Sequence, residues 1–295
     1  MNVVILGASG FFGSVVARRL VECGHTVSLL LRPTSSLARL AAVADNCRIG
    51  RCSTPADVRG FLRDADPDAI LYSVCLYGGP QTSVADMIAA NLEHGVISLE
   101  ACLSICAERR RTFVNSGTSL PETLNAYSSM KASFAKLGRM MSEDSHSALQ
   151  FIDMRLESLY GWERHPTRFT STVIHACCRN APSLPLTAGQ QQRDFLHVAD
   201  AAAACETVLA QSQSFADQDT ISIGSGRSRS IREFVETTRS LSRSTTRLGF
   251  GELPYRPREA MRCIGDPSRL ELLGWRQQAP FEHSLALTIQ QVLAS

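Results

Sequence analysis

An α/β fold, built on a doubly wound parallel sheet with a smaller C-terminal lobe, is predicted by three features of the 295-residue sequence. Short apolar runs alternate with helical patterns through the first half. Those runs are almost continuously apolar, as strands covered on both faces require. The first strand–helix junction, VILGASGFFGS, carries Gly7, Gly10 and Gly13 three residues apart.

Taken in order, residues 3–6 read as a strand, 11–23 as a helix stopped at Gly24, and 26–31 as a second strand. Residues 57–63 are helical, and 69–74 form a buried strand. A long helix is expected over 84–107, then a strand at 112–115, a helix over 126–142 and a strand at 151–156. After Arg155 the regularity fades, and Pro166, Pro182, Pro185, Pro254 and Pro257 punctuate shorter elements. Residues 198–210 are nonetheless helical, and 220–223 read as one more strand returning to the sheet. The expected division is residues 1–156 as the sheet domain, with returning segments around 194–224, and residues 157–295 mainly as the smaller lobe. The short run Arg227–Ser–Arg–Ser230 is expected to be a loop before a helix starting near Ile231, and no internal repeat is visible.

Composition narrows the function. With 44% hydrophobic and 20% charged residues, a net charge of +2 and scattered basic side chains, the chain lacks the electrostatic footprint of a nucleic-acid binder. The apolar run at 3–6 is too short for a signal peptide or membrane span, so a cytoplasmic protein is expected with no membrane partner. Ten cysteines show no paired CxxC spacing and read as reduced, packed, small apolar residues. No His partners stand at ligand spacing, so no metal site is expected. Small-molecule chemistry is what remains.

A strand, a glycine-rich turn and a helix N-terminus make an anion site, because free N–H groups and the helix dipole converge where a Cβ would block approach. Gly7 would form the tight turn, Gly10 would admit a pyrophosphate, and Gly13 would let the helix pack on the strand. Three glycines alone can be a turn plus a packing contact; their place at the first junction favours the cofactor. Tyr127 and Lys131, in YSSMK, stand at i, i+4 on one helix face. Such a pair is common by chance, but Ser116, at the end of the preceding strand in FVNSGTS, adds a hydroxyl where ligands bind in such sheets. Together they form a proton-transfer device: Lys131 lowers the pKa of the Tyr127 phenol, and Ser116, with Thr118, hydrogen-bonds the substrate oxygen.

GxxGxxG, then Ser, then YxxxK resembles the short-chain dehydrogenase/reductase superfamily with its Rossmann-type domain. Asn91 in AANLEHGVISLEAC, MRLESLYG, RDFLHVAD from Arg193 to Asp200, ISIGSG and DPSRLELLGW resemble its extended branch, the epimerase/dehydratase type. NSGTSLPETLNAYSSMK with LPYRPREAM looks most like the nucleotide-sugar 4-ketoreductases, such as abequose- or paratose-type synthases. The resemblance implies cofactor contacts from Ser9, Phe11, Phe12, Val74 and Asn91 besides the glycines, Tyr127 and Lys131. It also implies substrate contacts from Tyr77, and from Arg193 and Arg256 on the pyrophosphate of a nucleoside-diphosphate sugar. A homodimer through the helices at 84–107 and 126–142 is implied likewise. The chain departs from the pattern at Trp162, where a Pro usually follows Tyr160–Gly161, around Gly50–Arg51–Cys52, where an acid usually follows the third strand, and in the shorter gap from Ser116 to Tyr127.

The second strand ends LLLRPTSS. An acid here would bind a ribose 2′-hydroxyl, whereas Arg32, helped by Ser35 and Ser36, suits a 2′-phosphate, so NADP(H) is the expected cofactor and reduction the expected direction. The dehydratases of this family carry acids directly after the strand-end hydroxyl; Gly117 and Thr118 stand there instead. An epimerase uses the same Ser–Tyr–Lys set and is the alternative enzyme. A non-catalytic NADP-binding regulator is the alternative of another class, though regulators often lose the Tyr or Lys that this chain keeps.

Overall fold

Burial follows the apolar runs. The computed structural model describes residues 1–79, 81–106, 109–144, 148–164, 166 and 168–295. Val3, Val4, Ile5 and Leu6 are all fully or almost fully buried, and because alternate side chains of a strand point to opposite faces, both faces of β1 (Asn2–Leu6) must be covered. Next come α1 (Phe11–Glu22), β2 (Thr26–Leu31), β3 (Arg48–Arg51), α2 (Pro55–Ala65) and β4 (Ala69–Tyr72). They are followed by α3 (Val84–Ile88), α4 (His94–Leu103), β5 (Arg111–Thr118), α5 (Ala126–Asp144) and β6 (Leu149–Leu156). With β10 (Gln218–Ile223) the strands form one seven-stranded sheet in the order β10-β6-β5-β4-β1-β2-β3. The pairs β1–β2, β1–β4, β2–β3 and β4–β5 are parallel. The order reverses beside β1, and that is where such sheets hold ligands.

Several elements differ from the sequence expectation. The third strand, β3, is absent from the apolar pattern, because an edge strand reading RIGR has no apolar run to announce it, and only the family resemblance points to a strand there. The helix expected over 84–107 is broken: α3 passes through a π-helical turn, Ala89–Glu93, into α4, which ends at Leu103; residue 107 lies outside the described residues. Helix α2 begins earlier than periodicity indicates, because Thr54 accepts from Asp57 N at 3.2 Å while Asp57 accepts from Thr54 N at 2.8 Å, a capping box. On one face of the sheet, Phe134 of α5 packs among Tyr72, Phe113 and Phe151 at centroid separations of 5.2–6.2 Å.

The chain forms two compact units, one of Met1–Arg155 and Ala202–Ile221, the other of Leu156–Ala201 and Ser222–Ser295. The second unit holds a four-stranded sheet in which β9 (Gln192–His197) pairs in parallel with β7 (Ser158–Tyr160) and β13 (Arg262–Cys263), and antiparallel with β11 (Ser228–Ser230), and a separate parallel pair, β8 (Ser183–Leu186) with β12 (Arg247–Phe250). The RSRS run is therefore mostly strand, corrected from the expected loop by its pairing with β9, a partner distant in sequence. Its core is aromatic: Phe195 stacks on Phe234 at 4.4 Å, and Tyr160 and Phe281 close around them. No helix among the described residues is long and apolar enough to cross a membrane.

Candidate active site

Backbone makes the first part of the site. Gly7 has φ +84°, and a Cβ there would lie 2.7 Å from Ser73 C and Val74 N at the exit of β4. A Cβ on Gly13 would sit 2.5 Å from the Gly7 carbonyl, so its absence lets α1 close on β1. Gly10 is the N-cap of α1 with no side-chain cap, and no acid occupies the first turn. The N-terminus of α1 thus carries neither a side-chain cap from Gly10 nor an acid in its first turn, which fits the pyrophosphate of a dinucleotide. Ser9, Phe11 and Phe12 flank it.

Near this turn the structure adds two arginines, Arg39 and Arg51, to the Arg32 that the sequence points to. Arg32 follows β2 and is exposed, with Ser35 N donating to its carbonyl at 3.0 Å and Ser36 Oγ accepting from Ala38 N at 3.2 Å. Arg51, at the end of β3, donates to the Arg32 and Ser35 carbonyls, both at 2.8 Å, and so clamps the loop. Arg39 reaches the Ser9 carbonyl at 3.4 Å, thirty residues away in sequence. No local signal marks Arg39; Arg51 was visible only as the residue standing near a missing acid.

Tyr127 and Lys131 stand one turn apart at the start of α5, at 7% and 1% exposure. The Tyr77 ring lies 4.6 Å from that of Tyr127. Burial, followed by the Tyr77 phenol and the Cys75 thiol beside it, pushes the Tyr127 pKa well above its ordinary value. This corrects the expected lowering by Lys131: desolvation wins at this phenol. Cys75 is exposed and close to the phenol, so it is not one of the packed apolar cysteines that composition implies. Lys131 donates to the Val74 carbonyl at 3.5 Å and lies 5.9 Å from the Tyr72 ring centroid; burial lowers its pKa.

Asn91 and Ser116 are used differently from the expectation. Asn91 is fully buried on the π turn, and its amide spans the Leu76 backbone, accepting from N and donating to O at 2.9 Å each. It therefore holds the segment carrying Cys75 and Tyr77, a positioning task that the inserted turn makes possible. Ser116 is not at the strand end, because β5 continues to Thr118; its buried hydroxyl donates to the Tyr72 carbonyl at 2.9 Å. The terminal hydroxyl is that of half-buried Thr118. The positions directly after it are Ser119 and Leu120, again without an acid.

In the second unit, Arg193 is 7% exposed and donates to Glu259 at 2.8 Å and to the Gln192 carbonyl at 2.9 Å. Its neighbour Asp194 does not pair with it. Arg256 is exposed and belongs to the turn that carries Glu259, whose N donates to the Arg256 carbonyl at 3.1 Å. Among the described residues no cluster of His, Cys, Asp or Glu could hold a metal ion.

Residues 3–224 match the model of the NAD dependent epimerase/dehydratase family. The chain belongs to this family. It is 21% identical to a CDP-abequose synthase of Salmonella muenchen, over 95% of this chain and 94% of that one. It is 25% identical to a putative GDP-L-fucose synthase 2 of Arabidopsis thaliana, over 99% and 92%. The fold matches a UDP-glucose 4-epimerase of Thermus thermophilus solved with NAD, with a TM-score of 0.83 at 20% identity and 99% coverage of both chains. A UDP-glucuronic acid 4-epimerase from Bacillus cereus, solved with UDP-glucuronic acid and NAD, gives 0.82 at 19% identity, also covering 99% of each. The fold is the Rossmann-type α/β architecture that the sequence predicts.

Proposed function

We propose that this member of a nucleotide-sugar-modifying family is an NADPH-dependent reductase of a 4-keto-6-deoxy sugar carried on a nucleoside diphosphate. The observation that carries the reading is the buried Tyr127–Lys131 pair on α5, in the same unit as the uncapped glycine turn, with no acid directly after the Thr118 hydroxyl. A buried phenol that holds its proton firmly is suited to give it up only to a strongly basic alkoxide. When bound, the reduced dinucleotide supplies hydride to the keto carbon. Thr118 hydrogen-bonds the developing alkoxide, a role that passes to it from Ser116, and Tyr127 protonates that oxygen while the Lys131 charge eases the loss of the phenolic proton. Gly7, Gly10 and Gly13 admit the pyrophosphate, and Arg32, with Arg39 and Arg51 around the same loop, favours a 2′-phosphate. Of the two arginines expected on the substrate pyrophosphate, Arg256 has the exposed guanidinium and Arg193 is committed to Glu259. The homodimer contact falls on α3 and α5, where Val84, Ile88, Leu137 and Met140 are exposed. The protein is read as cytoplasmic.

The test is stoichiometric. Protein, NADPH and a 4-keto-6-deoxy nucleotide sugar are incubated, and cofactor oxidised is counted against product formed. One for one is expected; product without net oxidation makes the protein an epimerase, and binding without turnover makes it a regulator. Arg32→Ala should weaken NADPH binding by about tenfold or more, the scale of a charge-assisted contact, and leave NADH unchanged.

A further inference from the structure

Arg51 ends the edge strand β3 in register with Leu31, and so stands beside the last residue of β2 and the loop that follows it. That loop reads RPTSS over residues 32–36. Its first four residues make a turn, closed by Ser35 N donating to the Arg32 carbonyl at 3.0 Å, with Pro33 in the second position, where its fixed φ suits the bend.

A single atom of Arg51 gathers the loop's carbonyls. Its Nη1 donates to Arg32 O and Ser35 O at 2.8 Å each and to Pro33 O at 3.4 Å. The peptide bonds here are trans, and in a planar trans peptide the N–H points opposite to the C=O. When the carbonyls of Pro33 and Ser35 turn to Arg51, the N–H groups of Thr34 and Ser36 therefore point away from it. The Arg32 carbonyl brings no such N–H, because the next residue is Pro33. Neither Thr34 N nor Ser36 N has a hydrogen-bond partner among the described residues, and both residues are exposed. Exposed Arg32 also has no side-chain hydrogen bond or ion pair among the described residues. Acceptors thus lie on one side of the loop and free backbone donors on the other, the arrangement in which backbone N–H groups take up an anion.

We propose that Arg51 is a positioning residue for phosphate recognition: by drawing the carbonyls of Arg32, Pro33 and Ser35 to itself, it sets the Thr34 and Ser36 N–H groups free to join the Arg32 guanidinium on the 2′-phosphate of the dinucleotide. The proposal rests on the reading of the cofactor as NADPH given above. A loop without the clamp turns its peptides independently, and a carbonyl that swings to the donor side repels the anion.

The single donor atom makes the test specific. A lysine ammonium also carries three N–H donors on one nitrogen, so Arg51→Lys should keep the clamp that Arg51→Ala loses. With no nucleotide present, the backbone ¹⁵N order parameters of Thr34, Ser35 and Ser36 should fall from near the rigid value of about 0.85 to below about 0.6 in Arg51→Ala, and stay near the parent's in Arg51→Lys. Recognition is read with adenosine 2′,5′-bisphosphate against 5′-AMP, which differ only in the 2′-phosphate. The parent should prefer the bisphosphate; Arg51→Ala should cut that preference by about fivefold or more at unchanged 5′-AMP affinity, and Arg51→Lys should retain it. A loop no looser in folded Arg51→Ala overturns the proposal even where the preference falls, since Arg51 then touches the phosphate itself. A looser loop with the preference intact overturns it as well, and both results leave the NADPH reading standing. A parent that shows no preference for the bisphosphate overturns the NADPH reading and the proposal with it.

Discussion

Two sequence motifs carry the family resemblance, YSSMK in the first unit and RDFLHVAD in the second, and their buried polar groups behave in opposite ways. Asp194 is fully buried and saturated: it accepts from Ser225 N and Oγ at 3.0 and 2.6 Å, from Gly226 N at 2.8 Å and from Gly265 N at 3.3 Å. Asp200 accepts from Gln278 N at 2.9 Å, and its carbonyl takes the Trp275 indole at 3.1 Å. Lys131 has one long bond, and Asn115 has an unpaired oxygen. A saturated buried group holds the fold, since every donor is already answered; an under-satisfied one keeps capacity for another molecule or a proton. RDFLHVAD is thus largely architecture, whereas YSSMK keeps a buried cation, Lys131, with one long hydrogen bond.

The largest expected effect that breaks or sharpens this contrast is at Asp194. Asp194→Ala leaves four donors without their acceptor and should cost about 3–5 kcal/mol of folding stability, whereas Tyr127→Phe should hardly move Tm yet cut kcat by about 10²-fold. Chemical denaturation and turnover, measured on both variants, check it; a Tyr127→Phe protein as unstable as Asp194→Ala would erase the distinction.

A medium effect belongs to His197. Burial lowers its pKa to about 4, and its Nδ1 accepts from Ala199 N at 3.4 Å where the helix Val198–Ala210 starts. A histidine depressed in the fold is protonated first in the unfolded chain, so stability is full above about pH 6.5 and is lost as pH falls from there towards 4. Between pH 7 and 5 the loss should be at most about 2 kcal/mol, and His197→Gln should flatten that part of the stability–pH curve. A parallel curve in the variant would show that the acid loss arises elsewhere.

The smallest effect is expected where the buried charges are removed together. Lys131→Met with Asp153→Asn should fold within about 1 kcal/mol of the parent, or more stably, because burial penalises both charged side chains. Activity should vanish. A large loss of stability in the double variant would return the pair to architecture.

What the sequence by itself determined is local. Strand faces, the i, i+4 placement of Tyr127 and Lys131, and the three glycines at a strand–helix junction follow from periods of two and 3.6 residues and from backbone sterics, which neighbours in sequence decide. The edge strand β3 and the break in the helix at Asn91 escaped because one lacks an apolar run and the other depends on a bond to Leu76. Only tertiary structure decided which hydroxyl ends β5, that Arg39 reaches Ser9, that Arg193 belongs to Glu259, and that Asp153 lies against Asn115, thirty-eight residues away. Register and helix packing place those partners, and burial, which turns Lys131 from an ordinary surface cation into one that needs a counter-charge, arises only when the layers close over it.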